Sequence, residues 1–100
     1  MQYHVIGDED TVLGFALAGV EGTEVSTAGE AEAAFDKVLS ADAGIVIITE
    51  DVADMIRSRV DAYLVGEDLP LLLEIPGPEG RKADRPSVRD MVNQAIGMNL

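Results

Sequence analysis

Residues 44–48, Gly44-Ile45-Val46-Ile47-Ile48, form an unbroken run that is almost entirely β-branched. A strand that is apolar at every position must be covered on both faces. That is the environment of an inner strand in a parallel sheet flanked by helices. Pro70-Leu71-Leu72-Leu73-Glu74-Ile75 predicts a second buried strand, and Tyr3-His4-Val5-Ile6 a short one. Glu24-Val25 is a weaker and shorter candidate.

The segments between these runs carry helical signals. Asp8 or Asp10 can cap a helix to about Ala18, because a carboxylate accepts from the free amides of a first turn. Val12, Leu13, Phe15, Ala16 and Leu17 are its expected apolar side, and Gly19 its left-handed stop. Thr27-Ala28-Gly29-Glu30 matches a capping box. Behind it Ala31, Ala34, Phe35, Val38 and Leu39 recur on one helical face. Thr49 can cap a third helix with Val52, Met55 and Ile56 on one side, and Val60, Tyr63 and Leu64 mark a further turn.

Strands alternating with helices predict an α/β fold, a small doubly wound parallel four-stranded sheet with right-handed crossovers and receiver-like topology. The expected globular domain is 1–75. Residues 76–86, "PGPEGRKADRP", hold three prolines and two glycines and predict a linker. Residues 87–100 predict a tethered amphipathic C-terminal helix, with Val88, Met91, Val92, Ala95 and Ile96 in one stripe. That stripe fits two situations equally: packing on the sheet, or engaging a partner groove or coiled coil.

Charge narrows the partners. The 100-residue chain has a formal net charge of −12. Residues 1–56 hold twelve acids and one base, whereas residues 57–100 hold seven acids and six bases. Such a field repels nucleic acid and anionic membranes. No apolar run approaches the ~20 residues that span a bilayer, so direct membrane insertion is not expected. The opening residues do not resemble a signal peptide. Cysteine is absent, which removes disulfides and thiolate metal sites.

The chemical motifs are weak. Asp8, Glu9 and Asp10 after the first strand, with Glu50-Asp51 after the third, resemble the acidic Mg²⁺ and phosphoryl site of a receiver domain. That receiver-like signalling domain is the alternative reading. Against it, Glu50 and Asp51 fall in a helix's first turn, and Lys82 lies seven residues past Ile75. Gly77-x-x-Gly80 lacks the G-K-[ST] of a P-loop, and it follows a strand rather than joining two helices as a nucleic-acid clamp does. His4 has no second histidine to share a metal. No catalytic, cofactor or metal site is expected.

Three stretches in order, Gly14-Phe15-Ala16-Leu17-Ala18-Gly19, Leu71 through Pro76 ("LLLEIP") and Ser87 through Gly97 ("SVRDMVNQAIG"), make the chain resemble the F subunits of the V-type and archaeal A-type rotary ATPases. Ala16 departs from an arginine common in that family. The resemblance implies a non-catalytic rotor component of the central stalk, beside the long coiled-coil D subunit. It implies a role in ATP synthesis and ion transport, with the nucleotide site on other subunits. It also implies a peripheral position at the cytoplasmic face of the membrane, and a C-terminal helix that reaches the A/B catalytic hexamer and modulates its activity. The candidate partner-binding residues are then Arg85, Val88, Arg89, Met91, Val92, Ala95 and Ile96.

Overall fold

The computed structural model describes residues 2–41, 43–66 and 70–78. Four strands, β1 (Tyr3–Gly7), β2 (Glu21–Glu24), β3 (Ile45–Thr49) and β4 (Leu71–Ile75), form one parallel sheet in the order β2-β1-β3-β4. Helix α1 (Glu9–Leu17) links β1 to β2, and α2 (Ala28–Leu39) links β2 to β3. Helices α3 (Glu50–Met55) and α4 (Arg57–Gly66) together link β3 to β4. The α/β class and the four-stranded parallel sheet are as expected.

Side chains alternate across a strand, so register sorts them onto two faces. One face carries Ile6, Val46, Ile48 and Leu72, and packs with Ala31, Phe35 and Val38 of α2, Val52 of α3 and Val60 of α4. The rings of Phe35 and Tyr63 meet edge to face at 5.8 Å and 81°. Arg59 lies 5.5 Å over the Phe35 ring and pairs with Asp36. The other face carries Tyr3 and Val5, Ile45 and Ile47, and Leu71 and Leu73 in register. Of the described helices, α1 packs on this side. A Cβ on Gly22 would stand 2.6 Å from Val5 Cγ1 and 3.0 Å from Val12 Cγ1, so the missing side chain is what lets α1 lie against β1 and β2.

The caps fall where the sequence places them. Thr27 and Glu30 form a reciprocal capping box. Thr49 Oγ1 accepts from the Val52 amide at 3.3 Å. Gly19 takes a φ of 86°, and the amides of Gly19 and Val20 reach back to Ala16 O and Phe15 O, closing α1 in a Schellman turn.

Several expectations are corrected. β2 spans Glu21–Glu24 rather than centring on Glu24-Val25; it is an edge strand held by backbone pairing to β1, and Val25 is buried just after it. β4 is also an edge strand and is not buried throughout: Leu71 is 54% and Leu73 40% exposed. In α1 no residue is fully buried, with Leu13 58% and Leu17 84% exposed, because one isolated helix can bury only the side that meets the sheet. Met55 and Leu64 likewise point outward.

Candidate partner-docking surface

The acids at the carboxyl edge of the sheet are the sharpest chemical candidates, and their geometry is that of helix caps. Asp8 is the N-cap of α1: Oδ2 accepts from the Thr11 amide at 3.0 Å and Oδ1 from the Thr11 hydroxyl at 2.7 Å. Partial burial opposes its ionisation. The Thr11 hydroxyl and amide, with the amides of Asp8 and Asp10, outweigh that and hold its carboxyl below the usual value. Glu9 and Asp10 follow in the first turn of α1, and Glu50 and Asp51 in that of α3, where the helix dipole favours them. Among the described residues, no three His, Cys, Asp or Glu side chains gather as a metal set. The receiver-like alternative gains no support from this arrangement.

At the opposite edge, His4 Nε2 and Thr23 Oγ1 are hydrogen-bonded at 2.8 Å. Burial lowers the His4 pKa, with Glu21 opposing and Lys37 reinforcing the shift. Arg57, at the start of α4, spans to β4: its Nη2 and Nη1 donate to Glu74 Oε1 at 2.7 Å and Oε2 at 3.0 Å. Nη2 also donates to Asp54 Oδ1 at 2.5 Å. The bonds to Glu74 are the strongest influence raising the Arg57 pKa, against its partial burial. This bidentate clamp fixes the end of β4, and so the point where the chain leaves the sheet.

What the described residues leave open is apolar. Helix α1 covers β1 and β2, while Leu71 and Leu73 of β4 stay exposed on the same side. Between α1 and the exit of β4 lies a groove of about 420 Å³. Asp10, Gly14, Phe15 and Ala18 line it from the α1 side, and Ile75 and Pro78 from the β4 side. Leu13 and Leu17 extend the apolar surface over the outside of α1. Sequence reasoning missed this strip. The available signal was topological: one short helix cannot cover a four-stranded face.

The predicted partner-binding residues Arg85, Val88, Arg89, Met91, Val92, Ala95 and Ile96 lie outside the described residues, as does Lys82.

Fold and surface together define a small doubly wound α/β protein in which, among the described residues, the α1 face of the sheet is left exposed at Leu71 and Leu73 of β4. Comparison with known proteins specifies it further. The model of a protein family described as the ATP synthase (F/14-kDa) subunit matches residues 4–92. The A-type ATP synthase F subunit of Methanothermobacter thermautotrophicus is 37% identical over 100 residues, covering 96% of this chain and 92% of the relative. That of Pyrococcus furiosus is 38% identical over 106 residues, covering 100% and 98%. The solved V-type ATP synthase F subunit of Archaeoglobus fulgidus superposes with a TM-score of 0.60 at 28% identity, over 74% of this chain and 95% of that one. The chain belongs to the family of A- and V-type ATP synthase F subunits.

Proposed function

We propose that the chain is a non-catalytic central-stalk component of an A/V-type ATP synthase, turning with the rotor and docked on the coiled-coil D subunit. One observation carries this reading: the family match runs from residue 4 to residue 92, through the α/β domain and into the predicted C-terminal helix. The use of Asp8 as a cap supports the absence of chemistry at the acidic edge. The proposed place is peripheral, at the cytoplasmic face of the membrane; no helix among the described residues is long and apolar enough to cross one.

In this reading the α/β domain supplies the fixed contact to the coiled coil. The helix at 87–100 supplies the second, regulatory contact to the A/B hexamer through Val88, Met91, Val92, Ala95 and Ile96. Arg85 and Arg89 meet acids on the partner, setting orientation and association rate more than affinity. The rotor then transmits torque between ATP turnover and proton or sodium translocation.

Co-expression with the coiled-coil protein of the same complex tests this. Stoichiometric co-elution is expected, and in the reassembled complex Val92→Asp with Ile96→Asp should change the ATP hydrolysis rate at unchanged subunit content. Failure to co-elute, with Mg²⁺-dependent phosphoryl uptake from acetyl phosphate, contradicts it.

A further inference from the structure

Strand β2 is weakly anchored. It is an edge strand of four residues, Glu21–Glu24, and none of them is buried. Its backbone pairs in parallel with β1. Among the described residues, one side-chain hydrogen bond adds to that pairing, between His4 Nε2 and Thr23 Oγ1 at 2.8 Å. His4 stands opposite Glu21 and Thr23 opposite Ile6, so the bond runs diagonally across the two strands and fixes their stagger. Other parts of the fold depend on that position. Val25, just past β2, is buried and donates its amide to Gly7 O at 3.0 Å, and α1 rests against Gly22.

The His4 ring lines a cavity of about 240 Å³ between the amino ends of β1 and β2 and the C-terminal half of α2. Each neighbouring element presents a group to it. From β3, the register partner is Val46, which is fully buried. From β2 come the Glu21 carboxylate and the Thr23 hydroxyl, from α2 the Lys37 ammonium, and Tyr3 also lines the space. Glu21 and Lys37 are both exposed, and neither makes an ion pair with another described residue. This setting favours a neutral ring. Burial strips water from an imidazolium, Lys37 repels it, and Glu21 opposes both effects without cancelling them.

We propose that His4 is a proton-sensitive latch on β2: the neutral imidazole holds β2 in register on β1, and protonation at mildly acidic pH releases β2 together with the α1 corner that rests on it. The cavity supplies the room, because a charged ring can turn from Thr23 towards Glu21 and water. Once the diagonal tie is lost, β2 keeps only its backbone pairing and the packing of its ends. The proposal goes beyond the stalk reading by giving the α1 surface a dependence on pH, and it stands or falls independently of that reading.

Nuclear magnetic resonance on the isolated full chain tests it. His4 is the sole histidine, so its ring resonance reports protonation directly. Amide exchange is followed over the same range, from about pH 8 to about pH 5. After correction for the intrinsic pH dependence of exchange, protection in β2 and at Val25 should be lost as His4 titrates, while β3 keeps its own. The charged neighbours set where this happens. Lys37→Gln should move the His4 titration and the loss of β2 protection together to higher pH, and Glu21→Gln should move both to lower pH. Thr23→Val should leave His4 titrating, with β2 protection low at every pH. Protection in β2 that ignores the titration of His4 overturns the proposal. So does a loss that persists in His4→Gln, one that strikes β3 equally, or one that stays in place when Lys37→Gln moves the titration.

Discussion

Thr27 and Glu30 satisfy each other's exposed amides at the start of α2, so Thr27→Ala is expected to cost about 1 kcal/mol. Urea unfolding would show it as a lower midpoint at unchanged slope. Asp8 distinguishes two readings by one substitution. Asparagine keeps one acceptor oxygen and caps helices well, so Asp8→Asn should cost less stability than Asp8→Ala near neutral pH, losing only what the second carboxylate oxygen and the charge contribute. A phosphoryl-accepting acid would lose its chemistry instead. His4 gives the pH dependence. Its folded pKa lies below the ordinary 6.5, so the unfolded chain binds the proton more readily. Its contribution is complete above pH 6.5 and is lost as pH falls from there through the folded value. His4→Gln should flatten that part of a stability–pH profile.

At the scale of elements, the packing of α1 depends on Gly22. A side chain there meets Val5 and Val12, so Gly22→Val is expected to destabilise by about 1–3 kcal/mol through overpacking. Leu71→Ser with Leu73→Ser should cost far less than changes at buried Leu72, since both side chains are substantially exposed. Calorimetry on the three variants checks that ordering. These elements also show what sequence could convey. β3 and the helix caps are local signals, and each appears where its residues place it. β2 is Glu-Gly-Thr-Glu, with no apolar period to betray it; only its pairing to β1 makes it a strand. The triple leucine of β4 resembles a buried run because apolar residues left exposed on an edge strand look the same in sequence as apolar residues in a core. The candidate site divides along the same line. The acids were legible as caps from their place after the strands, whereas the groove exists only once strand order puts α1 over β1 and β2 and leaves β4 bare.

The whole molecule joins a strongly acidic body to a locally basic C-terminal segment. With the main core built from α2, α3, α4 and one sheet face, removal of all residues after Pro76 is expected to leave a cooperatively unfolding domain with lower exchange protection in α1 and β4. Loss of all cooperative unfolding would mean that the C-terminal segment is indispensable core. The central claim is membership of the rotor stalk. It is tested most directly by affinity purification of the tagged full chain from gently solubilised membranes of the source cell, read by quantitative mass spectrometry. The account predicts a long coiled-coil protein and two P-loop ATPase chains in fixed stoichiometry with this one. Recovery of the chain alone, or with a histidine kinase, would contradict it.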